Sequence, residues 1–372
     1  MNNKIFFFSF MAIWVLLIIL NFIIPNKEFS EQENRPLAKL PYFTFEKLVD
    51  GKYVSQMDDY INDHFIFRNE FIKTKSFLEK SIGKDENNDV YIGKNGYLFE
   101  KKILSKADYD NIDNVINSVN NFVDKINSKV YFMLVPNSIS IYSDKLPKNA
   151  VTYDQNEIID YFYQMLDDKI VKIDTRESLY KNKSRYIYFK TDHHMTSLGA
   201  LITYNEFRKS MGKDNLLEKD YTIKTVTNEF LGTLDSKAQV VNQEKDRIDI
   251  YENIYNTNLD SVYYDGKISD SLYNEEYLSK KDKYSYFLNS NNAKVIINTK
   301  NKNGKKLLVI KDSYAHIMAQ FMCNDYEQII LLDPRYYKAS ISDYIKNNDF
   351  SEILFIYNVS NIITDISIRG LR

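Results

Sequence analysis

The chain has 372 residues, enough to bury a large core in one domain or two. Its charges nearly cancel, leaving a formal net charge of -2, so nothing in the charge balance points to nucleic acid as a partner. The single cysteine, Cys323, excludes an internal disulfide and reads as a small hydrophobe in a helical stretch. The many tyrosines are expected mostly in the core and on strand faces.

In chain order, the first element is an almost wholly apolar, uncharged run over residues 5–25. That is close to the ~20 residues a membrane-spanning helix needs. A cleaved secretory peptide would have a shorter apolar centre and would end in an A-x-A-like site. This run ends in NFIIPNKEF, so residues 1–25 are expected to remain as an anchor, held in the lipid bilayer through residues 5–25. Residues 26–85 read as a membrane-proximal segment. A polar, proline-containing stretch comes first, then one or two short amphipathic helices with a break at Gly51. Two alternating runs around Asn95-Gly96 then predict a hairpin.

From about residue 108 the pattern alternates. Ile112, Val115, Ile116, Val119, Phe122, Val123 and Ile126 share one helical face. Strands are predicted at 130–135, 170–173, 186–189, 307–310, 329–332 and 353–357. Helices are predicted at 157–168, 196–211 and in the stretches AHIMAQFM and ISDYIKNN. Residues 213–300 are polar, have no sustained period and read as an insertion or cap. Short apolar strands alternating with helices predict an α/β domain with a mainly parallel sheet over residues 86–372. In such sheets ligands bind beyond the carboxyl ends of the strands.

Two motifs fall at predicted strand ends. Asp192-His193-His194-Met195 follows the 186–189 run, and Lys311-Asp312-Ser313-Tyr314 follows the 307–310 run. A serine between a strand and a helix presents its hydroxyl at a helix N-terminus. It becomes a nucleophile when an imidazole takes its proton and a carboxylate orients that imidazole. Alone, it is an ordinary helix N-cap. Two of the four histidines lie in the first motif. In an extended segment residues 192 and 194 share a side, which favours His194 as the base, with His193 as the other candidate. The cheapest oxyanion donors are the backbone N–H groups of Ser313 and Tyr314. Asn137, after the 130–135 strand, is a side-chain candidate. Arg335 reads either as a surface ion pair or as a substrate contact. Asp-His-His also occurs in metal-dependent phosphoesterases, but their two-metal sites need further ligands. With only His64 and His316 left, neither a metal nor a cofactor is expected.

These motifs carry a resemblance. ENRPLAKLP, DGKYVSQMDDYINDHFIFRNEFI, VYIGKNGYLF, LVPNSISIYSDKLP, TDHHMTSLGA, KDSYAH and LLDPRY are similar, in order, to DHHW-family proteins of the SGNH-hydrolase-like group, related to the alginate O-acetylation proteins. Met195 stands where the family name implies tryptophan. The resemblance implies a three-layer α/β/α domain and a triad of Ser313 as nucleophile, His194 as base and Asp192 as orienting acid. It also implies O-acetyl transfer to a cell-envelope polysaccharide outside the cytoplasm, with acetyl supplied by a membrane-bound O-acyltransferase. The SGNH glycine and asparagine blocks are not recognisable. A carbohydrate esterase using the same triad is the close alternative, and a non-catalytic polysaccharide-assembly protein is the second.

Overall fold

The computed structural model describes residues 3–33, 35–253 and 258–371. They form two compact units, one of residues up to Asn88 with Ser236–Gln243, the other of Asp89–Asp235 with the chain from Glu244 onward. The first unit opens with an apolar helix over Asn3–Ile23, long and apolar enough to cross a membrane. Helices Lys52–His64 and Arg68–Ser81 follow. Gly51 precedes the former with φ of 77°, a conformation that costs glycine little. Arg35 bridges Glu33 and Asp63, and Arg68 bonds Glu33 at 2.6 Å, so one buried-edge ion network ties both helices to the chain before them.

The second unit contains helices α1 (Lys106–Val123), α2 (Gln155–Met165), α3 (Ser197–Ser210), α4 (Tyr314–Met322) and α5 (Val359–Thr364). Its sheet strands are β1 (Lys129–Val135), β2 (Ile170–Ile173), β3 (Leu259–Tyr264), β4 (Lys267–Ser269), β5 (Lys294–Thr299), β6 (Lys306–Lys311), β7 (Gln328–Leu332) and β8 (Glu352–Asn358). The strand order is β4-β3-β5-β7-β6-β8-β1-β2. From β7 to β2 every pairing is parallel. Strands β5, β3 and β4 extend the β7 edge with antiparallel pairings.

Along β1, Val130, Phe132 and Leu134 join α1, α2 and α5 in one apolar cluster. Tyr131, Met133 and Val135 join α3 and α4 in another. The period of two sends alternate side chains to opposite faces, and both faces are apolar because helices cover both. This is a three-layer α/β/α arrangement. Helix α1 begins with a reciprocal capping box between Ser105 and Asp108. The predicted hairpin pairs Val90–Ile92 with Leu98–Glu100, and Asn95 and Gly96 both take positive φ at its tip.

Two differences from the sequence reading bear on the site. Residues 213–300 supply β3, β4 and β5 to the sheet, together with an antiparallel hairpin of Tyr221–Phe230 and Asp246–Asn253. Tyr221–Phe230 is mostly exposed between its ends, which is why it shows no alternation. The predicted 186–189 strand is absent. Only Tyr188 pairs, in an isolated bridge to Met195. Phe189 N–H donates to His194 O at 3.2 Å and Thr196 N–H to Ile187 O at 3.0 Å, so the chain doubles back on itself. Ile187, Tyr188 and Phe189 are buried, which gives them the composition of a strand.

Helix α3 depends on a close approach to this turn. A Cβ on Gly199 would lie 2.1 Å from Ile187 O and 2.9 Å from Met195 Cβ. Gly199→Ala is expected to destabilise the unit by about 1–3 kcal/mol, read as a lowered denaturant midpoint. An unchanged midpoint would show that α3 is not held there.

Candidate active site

Strand β6 delivers Ser313 through Asp312. Asp312 N–H donates to Ile356 O on β8 at 3.1 Å. The Asp312 carboxylate accepts from Tyr314 N–H at 2.9 Å, Asn358 N–H at 2.8 Å and Asn358 Nδ2 at 2.7 Å. One buried carboxylate therefore joins two strand ends and fixes the first turn of α4. Ser313 is the residue before α4, yet its side chain does not cap the helix. Its Oγ instead lies 2.7 Å from His194 Nε2.

His194 comes from the turn of the doubled-back segment. Its Nδ1 is 2.5 Å from Asp192 Oδ1, which also accepts His194 N–H at 3.0 Å. Asp192 Oδ2 accepts from Thr233 N–H at 2.8 Å and from Thr233 Oγ1 at 3.0 Å. Gly232 makes room, since a Cβ there would fall 2.3 Å from Asp192 Cβ. The turn is anchored from behind by Asp246. Its carboxylate accepts from Lys190 N–H at 2.8 Å, Thr191 N–H at 2.8 Å, Thr191 Oγ1 at 2.6 Å and Tyr186 Oη at 2.5 Å. Residues 192 and 194 do share a side, but in a bent segment and not in the extended one that the alternation argument assumed.

Burial alone would raise the Asp192 carboxyl, but the neighbouring His193 and His194, the His194 hydrogen bond and Thr233 N–H hold it well below the usual carboxylate range. An ionised Asp192 can only accept, so Nδ1 of His194 carries the proton and Nε2 faces the Ser313 hydroxyl as acceptor. Burial, then His193, push the His194 imidazole down to about 4 against the pull of Asp192. His194 is therefore neutral at pH 7, the state a general base needs.

Tyr284, which the sequence reading did not single out, stacks on His194 at 3.6 Å between ring centroids and 7° between planes. Its Oη donates to Ser313 O at 3.0 Å, so one side chain braces both base and nucleophile. It lies in the unpatterned 213–300 stretch, where no local signal marks it. His193 is turned away from Ser313, with Nδ1 2.8 Å from Thr233 Oγ1, and its backbone carbonyl accepts from Tyr314 Oη at 2.5 Å.

Two of the expected oxyanion donors are already engaged. Tyr314 N–H is bonded to Asp312. Asn137 Nδ2 donates to Tyr314 Oη at 3.0 Å and Asn358 Oδ1 at 3.1 Å, and so serves to hold the strand ends. Among the described residues, none accepts from Ser313 N–H. Arg335 forms an ion pair, with a buried carboxylate as its partner. It bonds Asp333 through Nε at 2.9 Å and Nη2 at 2.7 Å, Asp333 also takes Lys311 Nζ at 3.0 Å, and Lys311 reaches His316 Nε2 at 2.8 Å. Burial, then the Lys311 ammonium, keep His316 neutral as the acceptor.

Asp192, His193 and His194 have ligand-type atoms close enough to share a metal ion. Both Asp192 oxygens and both His194 nitrogens, however, already face partners within the protein. An ion there would have to displace Ser313 or Thr233.

The family model described as DHHW protein matches residues 88–332. The chain belongs to the DHHW family. A DHHW family protein from Eubacterium siraeum DSM 15702 is 23% identical with a TM-score of 0.66, over 76% of this chain and 95% of that one. PatB1 of Bacillus cereus, solved with a sulfonyl adduct, is 24% identical with a TM-score of 0.64, over 75% of this chain and 97% of that one. The O-acetyltransferase domain of Pseudomonas putida AlgJ is 12% identical with a TM-score of 0.49, over 76% of this chain and 99% of that one. No curated protein matches the chain. The first two share its fold. Within this DHHW chain, Met195 at the family's tryptophan position is fully buried and forms the bridge to Tyr188 that shapes the turn.

Two outcomes test the geometry. Covalent labelling of Ser313 by a sulfonyl fluoride, followed by mass spectrometry, should rise with pH through about 4 and level off above it. The sign follows because a protonated His194 cannot take the hydroxyl proton. A midpoint at the ordinary histidine value would mean that burial and His193 do not depress His194. Gly232→Ala, which pushes on Asp192, should slow labelling by about 10²-fold, and an unchanged rate would show that Asp192 does not position His194.

Proposed function

We propose that this protein is a membrane-anchored, extracytoplasmic O-acetyltransferase that acts on a cell-envelope polysaccharide through an acyl-enzyme on Ser313. The observation that carries the reading is the hydrogen-bonded series Asp192–His194–Ser313 beyond the carboxyl ends of the parallel strands. Membership of the DHHW family, with its resemblance to alginate O-acetylation proteins, supports acetyl as the group transferred. The Asn3–Ile23 helix supports an anchor in residues 1–25, with 26–85 next to the membrane and 86–372 as the catalytic part.

In the first half-reaction Ser313 Oγ attacks the acetyl carbonyl while His194 Nε2 takes its proton. The carbonyl oxygen gains negative charge, for which Ser313 N–H, engaged by no described residue, is the proposed donor. The intermediate collapses, His194 protonates the leaving oxygen, and acetyl-Ser313 remains. In the second half-reaction a sugar hydroxyl attacks acetyl-Ser313, His194 takes the hydroxyl proton, and that proton returns to Ser313 Oγ as the acetylated sugar leaves. Asp192 stays ionised and stabilises the imidazolium in both halves. Acetyl-CoA is cytoplasmic, so the donor side requires a membrane-bound O-acyltransferase as supplier. Water and sugar compete for the same acyl-enzyme, and an oriented acceptor wins through effective molarity.

The full-length protein should hydrolyse p-nitrophenyl acetate. Ser313→Ala and His194→Ala should each lower the rate by several orders of magnitude, and Asp192→Ala by less, because triad members act as a unit. Equal rates in wild type and Ser313→Ala would refute the covalent route. With native glycan present, O-acetylated sugar should appear by mass spectrometry, and deletion of the gene should lower envelope O-acetylation. A rise in O-acetylation on deletion would make the protein an esterase.

A further inference from the structure

The Arg68–Ser81 helix of the first unit carries an apolar stripe that no described residue covers. Phe67, Phe71, Leu78 and Ile82 are 52%, 51%, 58% and 84% exposed. Phe71 and Leu78 fall within about 20° of each other at 3.6 residues per turn, Phe67 and Ile82 flank them at the two helix ends, and Phe77, also exposed, lies to one side. A contiguous exposed apolar face of this kind marks an interaction surface.

The polar side of the helix is basic: Arg68 and Lys75 border one edge of the stripe, and Lys73 and Lys80 lie on the opposite face, with Lys84 just beyond the helix end. Arg68, Lys73, Lys75, Lys80 and Lys84 stand against Glu70 and Glu79. Arg68 and Lys84 are paired with Glu33 and Glu79, whereas Lys73, Lys75 and Lys80 make no ion pair among the described residues. Phe67, which opens the helix, holds a left-handed backbone at φ of 56°, uncommon for an aromatic residue.

The position of this face along the chain is also fixed. Ile66 N–H donates to Asn21 Oδ1 at 3.0 Å, and Asn26 Nδ2 donates to Tyr60 Oη at 2.5 Å. Asn21 lies in the last turn of the Asn3–Ile23 helix. The start of the stripe is therefore tied to the level at which a spanning helix leaves the hydrocarbon. An apolar helix face with lysines on the opposite, polar face, held at that level, matches an amphipathic helix lying in the headgroup layer. Anionic lipid headgroups complement the unpaired lysines.

We propose that the Arg68–Ser81 helix lies flat in the headgroup layer of an anionic bilayer, with Phe67, Phe71, Leu78 and Ile82 inserted, as a second membrane attachment beside the Asn3–Ile23 helix. This rests on the reading of residues 3–23 as a membrane span. Two attachments fix the orientation of the first unit against the membrane, which one helix cannot do.

The test uses the full-length chain with Cys323→Ser, reconstituted in vesicles of phosphatidylglycerol and phosphatidylcholine. Phe71→Cys, Leu78→Cys, Lys73→Cys, Lys80→Cys and Trp14→Cys are each labelled with a nitroxide. Collisions with oxygen, which concentrates in lipid, are compared with collisions with a water-soluble nickel chelate. The oxygen-to-nickel ratio should be several-fold higher at 71 and 78 than at 73 and 80. That contrast should shrink when phosphatidylglycerol is omitted. Equal ratios on both faces, with position 14 reading as hydrocarbon, overturn the proposal and leave the span intact. Shielding of 71 and 78 from both reagents also overturns it, because a protein partner or second copy then covers the stripe. An aqueous reading at position 14 overturns the span itself and this proposal with it.

Discussion

A carboxylate taken out of water must be met by donors, and the site is organised around four that are. Asp312, Asp192, Asp246 and Asp333 are all almost completely buried. Each gathers donors from segments far apart in sequence. Asp312 joins β6, β8 and the start of α4. Asp246 reaches back to residues 186–191 and holds the turn that carries the imidazole. Asp192 takes Thr233 on one oxygen and His194 on the other. Asp333 gathers Lys311 and Arg335. Leaving any of these donors or acceptors unpaired would cost more than the bond returns, so the arrangement is strongly constrained. That constraint brings His194 Nε2 to Ser313 Oγ across a long stretch of chain.

The same buried setting accounts for the chemistry. Burial that costs Asp192 solvation is outweighed by its donors, so it remains ionised, while His194, buried beside a second imidazole, remains neutral. An ionised acid and a neutral base in one hydrogen-bonded series is what proton abstraction from a serine requires. Tyr284 adds rigidity, lying flat on the imidazole and bonded to the serine carbonyl. A brace of this kind holds reacting groups within the few tenths of an ångström over which their efficiency is decided.

The structure redistributes several roles among the residues that the sequence brought forward. Asn137, a side-chain candidate for the oxyanion, spends both amide hydrogens on the scaffold, and of the two readings of Arg335, ion pair or substrate contact, the ion pair with Asp333 is the one present. Both sit at the carboxyl ends of strands, where the topology rule places ligand contacts. The rule locates the right end of the sheet but not which polar side chains there are already satisfied by one another. Satisfaction is a property of three-dimensional neighbours, so a linear reading has no access to it.

What the sequence by itself determined is what periodicity and local chemistry encode. The parallel strands and the helices covering them were legible because a strand buried on both faces is apolar throughout and an amphipathic helix repeats at 3.6. The apolar N-terminal run, the Asn95-Gly96 turn and the pairing of Ser313 with the Asp-His-His motif were legible for similar reasons, each resting on a short motif with its own physics. Tertiary structure alone decided three things. It made 186–189 a turned-back segment, because buried apolar side chains look alike in a strand and in a folded loop. It placed three short strands of the 213–300 stretch, β3, β4 and β5, at the sheet edge. It brought Thr233, Asp246 and Tyr284 to the triad, because they meet their partners across the fold, and no spacing in the chain records a hydrogen bond between segments that only folding brings together.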